Sequence, residues 1–213
     1  MIIKWLSELH GPTGFLAEPE DYDGTPRISH LWIDSAPKNR HWDRQAIAAY
    51  LVFGDSFGGP VSMPHKFSPA VATAIKAAAK PVQLDIQPIE YYPKALPIGE
   101  RKLRIVSNET VPEQLLKPNN QEVAFLEILR SDQASGAIRR VNGITVASNA
   151  WLHTVASGNK GWFPLIAIAC LFAEDLDAGT IVLPPSAELH ANERRILEYL
   201  LGTARLGLEI EEL

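Results

Sequence analysis

A capped helix followed at once by a half-buried strand is the pattern that most narrows what this chain can fold into. Ser68 and Pro69 open the helix. The serine hydroxyl can accept from a free N–H of the first turn, and proline at the first helical position gives up no hydrogen bond. Val71, Ile75 and Ala78 then recur at helical spacing through an alanine-rich body, and Lys80-Pro81 ends it. Residues 82–89 switch to period two, with Val82, Leu84 and Ile86 on one face and Gln83, Asp85 and Gln87 on the other. That alternation marks a strand buried on one side. The expected class is therefore α/β, a mixed sheet with helices on at least one face, with α+β as the neighbouring class.

Residues 28–67 hold three of the six histidines and most of the candidate chemistry. Residues 28–35 read as a strand with His30, Trp32 and Asp34 on one face and Leu31 and Ile33 on the other. Asp34 then ends the strand about 13 Å from His30, at roughly 3.3 Å per residue. Asp43 is placed to cap a helix through Ile47, Leu51 and Val52. This strand–loop–helix order puts Ser35, Lys38, Arg40 and His41 in one loop at the carboxyl end of a strand, where open α/β sheets hold ligands. Residues 54–60 read as a helix C-cap and tight turn. They do not form the nucleophile segment of a trypsin-like protease, since Phe57 separates Ser56 from the glycine pair and a helix comes just before. They do not form a phosphate loop either, since no Gly-Lys-Ser/Thr follows.

Elsewhere the N-terminus reads as a first strand or short helix, and residues 11–27, with three prolines and four acidic residues, as a surface arm. Its acids lack the spacing of a calcium loop. Residues 61–63 suit a short strand, and Pro64-His65-Lys66 a turn. The tyrosines at 91 and 92 suit a packed bend. Residues 103–106 read as a strand, and 122–130 satisfy strand or helix equally. Asn142-Gly143 between apolar residues signals a hairpin with Arg139 and Arg140 on its first arm. An apolar helix at 164–176, a strand at 180–183, a helix capped by Ser186 and a last strand at 206–210 complete the chain, with a solvated acidic end. One domain over 1–213 is expected, with 107–121 as the lobe boundary if there is one.

Composition excludes several classes. A net charge of −5 and no long basic run argue against nucleic acid as the main partner. Cys170 is the only cysteine, so there is no internal disulfide and no cysteine-based zinc site. In the middle of an apolar helix it reads as core. The longest apolar run, residues 162–173, falls short of the roughly 18–20 residues a membrane span needs, and a cytoplasmic protein is expected.

Two functions fit. The preferred one is a non-catalytic binding or assembly subunit, whose partner protein or second copy meets aromatic loops around Trp42, Tyr91, Tyr92, Trp151 and Trp162. The alternative is a metal-dependent hydrolase of a phosphate ester or similar anion. In it Asp34, Asp55 and Asp85 hold a divalent metal, His41 and His65 move protons, and Lys38 and Arg40 neutralise the substrate.

Overall fold

Eleven strands join one sheet in the computed structural model, which describes residues 1–7, 12–107, 111–117, 122–132, 138–156 and 161–212. The first part of the chain supplies β1 (Ile2–Ser7), β2 (Thr13–Glu18), β3 (His30–Ile33), α1 (Trp42–Phe53), β4 (Pro60–Phe67), α2 (Pro69–Ala78) and β5 (Asp85–Ile89). The rest supplies β6 (Arg101–Val106), α3 (Glu113–Leu116), β7 (Val123–Arg130), β8 (Ile138–Arg140), β9 (Gly143–Ser148), α4 (Ala150–Ala156), α5 (Phe163–Phe172), β10 (Ala178–Leu183), α6 (Ala191–Thr203) and β11 (Gly207–Ile210). The order across the sheet is β11-β10-β6-β7-β9-β3-β2-β1-β4-β5, with β8 beside β9. The strands β1, β4 and β5 are parallel to one another, as are β9, β7, β6, β10 and β11. Antiparallel pairing through β2 and β3 makes the two blocks run in opposite directions. The fold is thus mixed α/β with flanking helices.

Local sequence explains most elements. The hydroxyl of Ser68 accepts from Val71 N–H at 3.4 Å and Pro69 opens α2, as the spacing predicts. Leu84 and Ile86 are buried and Asp85 exposed, while Val82 lies outside β5. Residues 122–130 resolve as strand β7, whose position between β6 and β9 buries both faces. The hairpin forms one residue earlier than its Asn-Gly signal implies. Val141 and Asn142 make the turn and Gly143 joins β9. A Cβ on Gly143 would stand 2.5 Å from Phe125 O, so close packing on β7 requires the glycine.

Four expectations change. The arm at 11–27 contains β2, whose Phe15 and Ala17 are buried at period two; position 11 lies outside the described residues. Histidines, not Asp43 and Ser186, cap the two long helices. The Nδ1 of His41 accepts from Asp43 N–H at 3.3 Å, and His190 forms a capping box with Glu193 ahead of α6. The acidic end is partly paired, Glu209 with Lys102 at 2.6 Å and Glu211 with Arg104 at 2.9 Å. Finally, Pro64-His65-Lys66 is no turn but a bulge within β4. From Ser62 to Phe67 that strand advances five positions while β5 advances two, from Gln87 to Ile89. Proline has no N–H for the ladder, which favours a bulge here.

The main core lies between one sheet face and helices α1, α2, α5 and α6, with Leu103, Ile105, Leu126 and Ile181 facing Ile47, Ile75, Ile166 and Leu197. Cys170 belongs to it, and burial pushes its thiol up to about 12. On the opposite face a small cluster of Val106, Val111, Leu115 and Phe125 packs under α3. Within 107–121, positions 108–110 and 118–121 lie outside the described residues; β6 and β7, which flank the segment, pair in register.

Where the two blocks meet, side chains replace the ladder. Only Ile33 and Ser148 pair directly between β3 and β9. Asn149 accepts from Trp32 N–H and donates to His30 O, both at 2.9 Å, and Ser148 Oγ donates to Trp32 O at 2.6 Å. Asp34 continues the seam, donating its N–H to Ala147 O at 3.0 Å and accepting Ala147 N–H on Oδ1 at 2.9 Å. No helix among the described residues is long and apolar enough to cross a membrane.

Candidate functional site

The carboxyl ends of β4 and β5 and the amino end of α1 enclose a cleft of about 430 Å³. Three segments build it: residues 40–43 as one wall, residues 65–67 as the floor and residues 90–94 as the other wall. The bulge in β4 sets the floor. Surplus residues turn side chains off the regular alternation, and here they bring both His65 and Lys66 to the cleft.

Its first wall is a stack of rings and one cation. Trp5 packs edge-on against Phe15, with centroids 4.9 Å apart. The guanidinium of Arg40 lies 4.9 Å over the Trp5 ring and 6.0 Å from that of Trp42. Trp42 in turn stacks on His65, 3.9 Å between centroids at a tilt of 31°. Stacking on indole faces holds a guanidinium by its plane and leaves its N–H edges for acceptors. Arg40 has none: it makes no hydrogen bond or ion pair among the described residues, and its Nη1 is buried. Lys66 and Lys94 also line the cleft, and neither has an acceptor among the described residues.

The histidines differ in role. Because His41 Nδ1 accepts the Asp43 N–H, the neutral ring carries its proton on Nε2 and can only donate from there. Burial, and then the Arg40 charge, hold the His65 imidazole below its ordinary value, so it is neutral at pH 7. Burial also lowers Arg40, which stays charged at any physiological pH. Both lining carboxylates have partners. Asp43, 2 % exposed, accepts Ser68 N–H at 2.7 Å and so ties α1 to the start of α2. Glu90 accepts Tyr92 N–H at 3.1 Å, which fixes the opposite wall.

The structure brings together His41, His65 and Arg40 from the expected set. Lys38 lies in the same loop but does not line the cleft; its N–H donates to Asp175 Oδ2 at 2.9 Å. Asp34 lies in the seam. Asp55 follows the far end of α1, about 18 Å along a twelve-residue helix from the cleft. Asp85 starts β5 at its opposite end from Glu90, about 16 Å away. Among the described residues no group of three His, Cys, Asp or Glu is placed to hold a metal ion.

The aromatic residues also separate. Trp42 and Tyr92 border the cleft, whereas Trp162 packs against the core and Trp151 lies 4.1 Å beneath the Arg130 guanidinium. Tyr91 and Tyr92 are 74 % and 92 % exposed, so the bend at 91–92 does not pack as expected. Trp5 and Asp175, which support the loop at 38–40, were not legible because only long-range contacts bring them there, and Lys66 because only the bulge turns it to the cleft. The sequence carries one signal for the floor, a proline inside a run that otherwise reads as strand. No protein-family model matches the chain, and no curated protein matches it.

Proposed function

We propose that the protein is a non-catalytic binding subunit whose cleft takes a small anionic ligand. One observation carries this reading. Arg40 is held between two indoles with a buried Nη1 and no acceptor among the described residues, in a cleft that adds Lys66 and Lys94 on a chain of net charge −5. A partly desolvated guanidinium without an anion is costly, and an incoming carboxylate or phosphate offsets that cost with paired, charge-assisted hydrogen bonds. The Nε2–H of His41 supplies a further donor. The hydrolase alternative draws support from His41 and His65 lining the same cleft, but among the described residues it has no carboxylate set there for a metal.

Thermal melting in low-salt buffer with rising inorganic phosphate or sulfate tests the proposal. An anion at about a hundred times its dissociation constant adds about 2.7 kcal/mol, or about 5–10 °C for a chain of this length. The shift should vanish in Arg40→Gln. An equal shift in wild type and R40Q, or none in either, would refute it.

A further inference from the structure

A simple anion does not account for the rest of the cleft. Its volume of about 430 Å³ is that of a small-molecule pocket, and its lining is more aromatic than phosphate alone needs. Trp42 keeps 39 % of its surface exposed even with His65 stacked on it. Across from it Tyr92 is almost wholly exposed beside Pro93, while its backbone is held by Glu90. One partly exposed and one almost wholly exposed aromatic side chain thus border one opening.

We infer that the ligand is a nucleoside phosphate, its phosphate on Arg40, Lys66 and Lys94 and its base against Trp42 and Tyr92. This rests on the anion-binding reading above. Three cations without acceptors among the described residues match a phosphate monoester, with its near-dianionic charge and three terminal oxygens, better than a single carboxylate. A base supplies the flat face that exposed aromatic rings bind through stacking, whatever its identity. Both segments of the cleft, residues 40–43 with 65–66 and residues 90–94, carry a cation and an aromatic ring, so a ligand that meets both kinds of group needs a charged part and a flat part.

Isothermal titration of the whole protein with inorganic phosphate, ribose 5-phosphate, adenosine 5′-monophosphate, adenosine and an oligo-aspartate peptide decides the matter. The nucleotide should bind about tenfold tighter than ribose 5-phosphate, the gain expected of one stacked base. Tyr92 is exposed, so Tyr92→Ala leaves the fold intact; it should bring the nucleotide down to the level of ribose 5-phosphate and leave ribose 5-phosphate itself unchanged. Equal affinity for the two phosphates, or a Y92A variant that keeps the nucleotide preference, overturns the nucleoside assignment and leaves the anion site standing. Binding of the peptide without the nucleotide overturns it in favour of an acidic protein segment. If no phosphate compound binds, the anion-binding reading fails and the inference with it.

Discussion

Replacing Asp175 should destabilise the protein and loosen the loop that aims Arg40. The Asp175 side chain is 1 % exposed although it lies just ahead of β10. Its carboxylate accepts Lys38 N–H at 2.9 Å and Asn39 N–H at 2.8 Å, and Oδ2 also meets Arg139 Nη2 at 3.0 Å. Each amide bond to a buried carboxylate stabilises by about 1.5 kcal/mol at the low end for charged acceptors, which suits amides that water can reach. The half-exposed arginine adds about 0.5 kcal/mol. Asp175→Ala should thus cost about 3.5 kcal/mol, lowering Tm by about 7–14 °C. Asp175→Asn keeps one acceptor but turns an NH₂ toward a backbone N–H, and should cost about half as much. Arg139→Met should cost under about 1 kcal/mol. Differential scanning calorimetry measures all three, and hydrogen exchange should show the Lys38 and Asn39 amides opening in D175A. An Arg139→Met loss equal to that of D175A would refute the argument, since the ion pair rather than the amide clasp would then dominate. So would a D175A shift below about 2 °C, well under the worked value.

Three other perturbations read the fold. Asn149 is 2 % exposed and satisfies Trp32 N–H and His30 O, so Asn149→Ala should cost about 2–3 kcal/mol by urea titration; a loss under about 0.5 kcal/mol, the size of a surface change, would mean the seam is held elsewhere. Gln45 is 1 % exposed and neither atom of its amide has a partner among the described residues, so Gln45→Leu should raise stability by about 1–2 kcal/mol, and a decrease would reveal a partner for the amide. His153, edge-on to Phe53, has its imidazole held below the ordinary value by burial, against the pull of its bond to His30 O; burial and Arg40 lower His65 likewise. The unfolded chain therefore takes up these protons first, so stability is full above about pH 6.5 and is lost as pH falls through the depressed values. Tm measured from pH 8 to 5 should be flat and then decline, less steeply in His153→Gln; a wild-type Tm flat to pH 5 contradicts this.

What the sequence makes legible follows locality. The helix opened by Ser68-Pro69, the alternation about Leu84 and Ile86, and the apolar run around Cys170 each state their structure within a dozen residues. The cap of α1 was hidden because a histidine accepts on Nδ1 only in the tautomer that leaves that nitrogen bare, and residue identity does not state the tautomer. The acidic, proline-bearing surroundings of β2 masked Phe15 and Ala17, whose period of two was nonetheless present. In the site, Arg40 and His41 were legible together, since a strand end and the helix after it are neighbours in sequence, and His65 joined them only as a histidine of the same polar stretch. Tyr92 and Lys94 face them only because β4 and β5 pair in parallel, and Asp175 only because β10 starts beside the loop.

The opposed blocks explain why that loop needs a clasp from the other half of the chain. Strands β3, β4 and β5 all end toward the cleft, so α1 and α2 begin at that edge, where Asp43 of α1 accepts the Ser68 N–H ahead of α2. Second-block strands run the other way, so β6 and β10 start at that same edge. Arg44 and Asp175 join the edges: the buried Arg44 donates to Pro97 O at 3.1 Å, behind the wall that carries Tyr92, and Asp175 binds residues 38–39, behind the wall that carries Arg40. Neither touches the cleft, yet each holds one wall by its backbone. A ligand that draws Arg40 and Tyr92 together must therefore load both anchors, and its binding should slow exchange at the Lys38 and Asn39 amides. Protection confined to residues 65–67 would instead mean that the floor alone binds the anion.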